Sequence, residues 1–243
     1  METAPPIVEE APPTTPLWED FVDIFFAPAQ VFARRAEGRF GIALLVLAIM
    51  SALVALGTQM ALGDALAADM QRAIQNAPGG AEMSAENLEQ MRRFGTISAV
   101  IGALIVVPIS VFLAGFVLWL LAKFVDSVAS YAAVIMIVTY ANFPRVLQGV
   151  VGMVQGLVLS PDSIYDVSIG LSRFVPREDT NPLLLALADR VDLFTIWVTI
   201  LVAIGVHVVG RVPKGFAYLV AAIMWLLGIL PALIPMLISG AVG

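Results

Sequence analysis

Residues 131–159 read YAAVIMIVTYANFPRVLQGVVGMVQGLVL. Arg145 is the one charged residue in that block, and no β-strand runs to such a length. The polar step Asn142-Phe143-Pro144-Arg145 divides it into pieces of about 13 residues, each too short to cross a ~30 Å hydrocarbon core alone. The reading adopted is one long membrane span kinked at Pro144. A re-entrant element or two half-helices is the alternative, because proline removes a backbone hydrogen bond that only a buried or wet environment makes good.

The rest of the chain agrees with a lipid solvent. Of 243 residues, 60% are hydrophobic and only 13% charged, with a mean hydropathy of +0.93, which is too apolar for an ordinary water-soluble domain. Phe40–Leu62 and Thr96–Ala122 are further spans before the kinked block, and Leu193–Val209 and Phe216–Ile238 follow it. The expected fold is therefore an all-α, polytopic transmembrane bundle of five spans, the membrane domain occupying residues 40–238. Between the first two spans, Asp64–Asn76 keeps helical character and Ser84 caps a second helix. With the turn Pro78-Gly79-Gly80 they should form a hairpin beyond the membrane. Ser160–Asp192 is polar and contains a short helix started by Asn181-Pro182.

Ahead of the spans, Met1–Pro16 is an acidic, proline-rich tail expected to be disordered. Residues 17–39 read as an amphipathic helix, capped by Thr15 and Pro16, with Trp18, Phe21, Val22, Phe25, Ala29 and Phe32 opposite Glu19, Asp20, Asp23 and Gln30. Such a helix lies in the membrane interface or packs on the cytoplasmic end of the bundle. Pro28 should kink or restart it. The tail is acidic where a signal peptide would be basic, so the first span is expected to stay in the mature protein.

Lys and Arg divide evenly between the two sides of this topology. Arg34, Arg35, Arg39, Lys123, Arg211 and Lys214 stand close against the membrane on one side, which places the N-terminus in the cytoplasm. A formal charge of −6 and scattered basic residues exclude nucleic acid as a partner. The chain has no cysteine and one histidine, so disulfides, thiolate sites and HExxH chemistry are absent, and no GxSxG elbow or Walker loop occurs. Tyr165-Asp166 lacks a GxGD partner and falls in a polar loop. No catalytic residue, metal or cofactor is expected, and the chain reads as a non-enzyme.

Four stretches carry a family resemblance. They are Phe25-Phe26-Ala27-Pro28 followed by Val31-Phe32, Leu120-Leu121-Ala122-Lys123 leading into Ser130-Tyr131, Tyr140–Leu147, and Asp192–Trp197 followed by Gly205. Together they resemble the Yip family of five-span membrane proteins, in its bacterial form. The resemblance implies a non-catalytic membrane protein, tied to vesicle traffic and Ypt/Rab GTPases in eukaryotes and in some bacterial cases found beside ABC-type exporters. Asp126-Ser127 departs from the glycines that bacterial relatives often carry in the turn after the second span. The expected location is a bacterial inner membrane, with membrane lipids and either a membrane-protein partner or a second copy as neighbours.

The candidate site is a polar pocket of Tyr140, Asn142, Pro144 and Arg145, with Gln148 close in sequence and Gln155 farther along. An unpaired arginine at a helix centre costs about 2.5–3.5 kcal/mol on insertion scales. Arg145 therefore needs a substrate or lipid headgroup, or a kink that lets it snorkel to the interface. Gly149, Gly152 and Gly156 form a stripe suited to helix packing within the bundle or to dimerisation. His207, near Arg211, reads as an interfacial histidine ahead of a proton relay. Trp18, Trp119, Trp197, Tyr131 and Tyr218 suit an aromatic belt. Asp162, Asp166, Glu178, Asp179, Asp189 and Asp192 match no calcium loop and read as a solvated face.

Overall fold

The computed structural model describes residues 16–75, 85–159, 161–162, 164–167, 169–176 and 180–231. The tail up to Thr15, the Pro78-Gly79-Gly80 turn, the Ser84 cap, Glu178 and Asp179, and the end of the expected fifth span lie outside them. Every regular element among the described residues is helical: α1 (Leu17–Phe26), α2 (Pro28–Arg34), α3 (Gly41–Gln75), α4 (Ala85–Lys123), α5 (Tyr131–Ala141), α6 (Phe143–Leu159), two short 3₁₀ turns, α7 (Pro182–Arg190), α8 (Leu193–Gly210) and α9 (Lys214–Leu227). The chain is a multi-pass membrane protein built as an all-α bundle. Four stretches are long and apolar enough to cross a bilayer: α3, residues 92–123 of α4, α5 with α6, and α8. The 14 residues of α9 are apolar but rise only about 21 Å, so a fifth crossing depends on residues past 231.

At the centre stands α5, buried from Ala133 to Ala141. It packs on α4 and α8, while α3 pairs with α4 and α6, and α9 packs on α8. Residues 133–141 contain no ionisable side chain except the Tyr140 phenol, so α5 can be enclosed on all sides at little desolvation cost. Its start is fixed by Ser130, whose hydroxyl accepts from the Ala133 amide at 3.1 Å, a standard N-cap.

The break in the third block falls at Asn142, two residues before the expected kink at Pro144. Asn142 closes α5, its side-chain amide donating to the Val138 carbonyl at 2.7 Å, and α6 restarts at Phe143 with Pro144 as its second residue. In the first turn of a helix the N–H that proline lacks has no intrahelical partner in any case. The proline is thus accommodated without a lost bond. Farther back, α4 runs continuously through Pro108.

At Pro28, where the sequence reading puts a kink or restart, the helix restarts: α1 and α2 form a hairpin turned at Ala27 and packed against the bundle. Gly38 abuts Ala132 at the start of α5, Phe21 stacks near Phe143 with ring centroids 5.1 Å apart, and Phe25 meets Trp197 edge-on at 5.5 Å. Trp197 lies 13 residues, about 20 Å, along α8 from Gly210. The hairpin tip therefore reaches well into the bundle, and its outer residues Trp18, Val22 and Phe26 remain exposed.

Candidate functional site

Two polar centres result, on different sides of the chain at the α5–α6 break. The first is built on Asp20. The sequence pattern puts Asp20 on the polar side of its helix, yet it is fully buried, because it shares a face with Ile24 and that face turns toward α5. Arg34 Nη2 donates to its Oδ1 at 2.9 Å, Arg35 Nε donates to its Oδ2 at 2.6 Å, and the Tyr140 hydroxyl donates to Oδ2 at 3.3 Å. Arg34 Nη2 also bonds Asp23 Oδ2 at 2.6 Å. Burial weighs against the Arg34 charge, but its hydrogen bond to Asp23 and the attraction of both carboxylates hold the guanidinium above its ordinary range. Two acids and two bases thus balance, and the cluster ties the inserted hairpin to α5 across 120 positions of sequence.

Tyr140 therefore leaves the expected pocket. It faces α1, on the opposite side from Arg145, as the ring contacts with Phe21 and Phe143 require. The Asp20 signal was present in the sequence as the spacing of Leu17, Asp20 and Ile24, followed by paired arginines after a proline break. What hid it was the stronger alternation of charged and aromatic residues around it.

The second centre gathers Asn142 and Arg145 with two residues from other elements, Arg190 at the end of α7 and Asp192 before α8. Asp192 is the N-cap of α8: its Oδ1 accepts from the amides of Phe194 at 2.8 Å and Thr195 at 3.0 Å, and from Gln148 Nε2 at 3.2 Å. Arg145 Nη1 makes one long contact, 3.5 Å, with Gln148 Oε1. Arg190 Nη1 donates to the Gly228 carbonyl at 3.1 Å, its guanidinium lies over the Trp225 ring at 5.8 Å, and its Nε is buried with no partner. Among the described residues neither guanidinium has a carboxylate within salt-bridge distance. Burial and then the like charge of Arg145 push Arg190 below the usual arginine value, with Asp192 opposing.

These groups border a cavity of about 170 Å³ between α4, α5, α8 and α9. Its walls are apolar apart from Asn142, Thr195, Thr199 and the two arginines. Asp192 begins α8, whose 18 residues rise about 27 Å, so the arginine pair lies level with the start of that apolar helix.

The glycine stripe divides as well. A Cβ at Gly149 would overlap Val54, and one at Gly156 would lie 2.5 Å from Leu62 Cδ2 and 3.3 Å from the Ala61 carbonyl oxygen. Both face α3 inside the bundle. Gly152 meets nothing within 4 Å. His207 Nδ1 is 2.7 Å from the Val212 carbonyl oxygen, a bond that closes the turn after α8. Trp119 packs under Lys123 at 5.5 Å and against Tyr131 at 6.1 Å. Of the loop acids, Asp192 is a helix cap and Asp69 of α3 binds the Ile164 amide at 3.0 Å. Among the described residues no group of three His, Cys, Asp or Glu converges on a metal-sized space.

A family model described as the Yip1 domain matches residues 22–235, most of the chain. No curated protein and no solved structure matches it.

Proposed function

The chain belongs to the Yip1 domain family, and we propose that it serves there as a non-catalytic accessory or scaffold protein that binds another multi-pass membrane protein. The proposal places it in a bacterial inner membrane, with five crossings and a cytoplasmic N-terminus. One observation carries the reading. The α4 span is the most apolar in the chain, at a mean hydropathy of 2.7, yet only 17% of its apolar window is buried, against 61% for Tyr131–Leu159. Its outward ridge, through Ile101, Ile105, Ile109, Leu113 and Phe116, is exposed and offers a membrane-depth surface for a partner. Within the membrane such a surface gains from side-chain packing rather than from water exclusion.

The test combines purification in mild detergent from the native host with a photo-crosslinking residue at Ile105 or Leu113. A membrane protein retained at stoichiometric amounts and crosslinked from those positions, but not from buried Leu118, is the expected result. Recovery of the protein alone, with crosslinks only to lipid, refutes the scaffold reading. Orientation is tested separately. The chain has no cysteine, so single cysteines at Lys214 and Thr180 should label from the cytoplasmic and the opposite side respectively.

A further inference from the structure

We propose that the Arg145–Arg190 cleft binds the phosphate of an anionic phospholipid. This is a ligand site on the opposite side of the molecule's polar balance from the Asp20 cluster, and it stands independently of partner docking through α4. Three observations converge on it. First, two guanidiniums share one cavity mouth while the nearest acid, Asp192, already accepts three hydrogen bonds at a single oxygen. Two arginines against one committed carboxylate leave a net positive charge in a largely apolar setting, and a phosphate matches that deficit with bidentate geometry.

Second, the donors are unsatisfied in the way a ligand site requires. Among the described residues Arg190 Nε is buried without a partner, and the exposed Arg145 guanidinium makes one long contact, with Gln148. A buried N–H left so favours a ligand oxygen that fills the place. Third, the position suits a lipid. Arg190 and Thr195 in the cavity wall flank the start of α8, one end of a helix long and apolar enough to cross a bilayer, the level at which lipid phosphates would stand. Below the arginines its walls are Val138, Val198, Val202 and Met224, suited to the glycerol and first methylenes of a chain. The volume of about 170 Å³ holds roughly five waters at ~30 Å³ each, a headgroup fragment and not a whole lipid. The acyl chains would lie outside, against α4 and α9.

Gly228 gives the site a built-in control. A Cβ there would overlap the Arg190 guanidinium, so Gly228→Ala displaces the arginine without changing any charge. The experiment uses the full chain in detergent, with phosphatidylglycerol or phosphatidylcholine added and bound lipid counted by native mass spectrometry. The expected result is preferential retention of phosphatidylglycerol, weakened about tenfold in the Arg145→Gln/Arg190→Gln double variant and reduced in Gly228→Ala. Phosphatidylcholine binding should not change. Should the double variant fail to fold, Gly228→Ala and the two single variants decide the matter. Equal phosphatidylglycerol retention in the parent and in every folded variant overturns the site. Inorganic phosphate at millimolar concentration should not displace the lipid; if it does, and protects the protein from heat by itself, the ligand is a free phosphate and the lipid assignment is overturned.

Discussion

Removing the Asp20 carboxylate should release the N-terminal hairpin. In Asp20→Ala, Arg34 keeps Asp23, but Arg35 loses its 2.6 Å partner and Tyr140 its acceptor. Cutting one side of a buried ion pair costs about 3–5 kcal/mol. Arg35 retains 14% exposure and Arg34 25%, so partial hydration moves the expectation to the low end, about 3 kcal/mol. At roughly 2–4 °C per kcal/mol for a protein of this length, the melting midpoint should fall by about 6–12 °C in detergent. The loss has a location as well as a size. Trypsin sites at Arg34 and Arg35, shielded in the parent, should be cut early in the variant, while the span α3–α6 stays resistant. Tyr140→Phe removes only the longest of the three bonds and should cost about 1 kcal/mol or less. Replacing Asp20, Arg34 and Arg35 together by apolar residues should recover much of the stability, because the penalty comes from the unpaired charge. An Asp20→Ala protein that melts within 2 °C of the parent, with unchanged trypsin cleavage, would refute the clamp.

Other expectations follow from single contacts. Gly156→Val should push α6 from α3 and destabilise by about 1–3 kcal/mol, whereas Gly152→Ala, which meets open space, should stay within about 0.5 kcal/mol; both are read by thermal unfolding. Pro144→Ala should cost at most about 1 kcal/mol, through the entropy of the unfolded chain, since no helical bond is missing at its position; a loss of several kcal/mol by the same assay would show that the proline enforces the break. Arg211 and Asp126 both hold left-handed backbone, at φ 54° and 55°. Arg211→Gly should therefore stabilise by about 1 kcal/mol and by more than Asp126→Gly, because aspartate tolerates that conformation better than arginine; a Tm series of the two variants checks the order.

The element order was legible because lipid-facing helices carry their signal in composition. Four of the five expected spans, the Asn181 and Asp192 ends of α7 and α8, and the restart at Pro28 depend on short stretches that a reader of sequence sees directly. In the turn after α4, Asp126 holds left-handed backbone at φ 55°, a conformation that glycine adopts freely and aspartate tolerates. Three-dimensional pairing was not legible. Asp20 and Tyr140 are separated by 120 positions, and Arg145 shares its cavity with Arg190 from a different element. Helical periodicity within one segment cannot report on either. The expected pocket joined Tyr140 to Arg145 on grounds of proximity in sequence, and the break at Asn142 sends them to different faces.

The two polar centres differ in a way that separates a structural role from a binding role. Around Asp20, each guanidinium has a carboxylate at 2.6–2.9 Å, and the charges sum to zero within the cluster. Arg34 Nε is buried there without a partner, as Arg190 Nε is at the other centre, but no net charge is left over, and a ligand would have to break existing pairs to enter. Around Arg145 and Arg190 the charges do not sum to zero, the nearest acid is occupied by amide donors, and a cavity adjoins the guanidiniums. If both centres served only to hold helices together, substitution with apolar residues of similar volume should be tolerated equally at each. On the argument developed above, Arg145→Met/Arg190→Met should leave the Tm unchanged or raise it in lipid-free detergent, yet abolish the extra stability that phosphatidylglycerol confers on the parent. A protein stabilised by that lipid to the same extent with and without its two arginines would place the binding elsewhere and return Arg145 to the role of a snorkelling side chain.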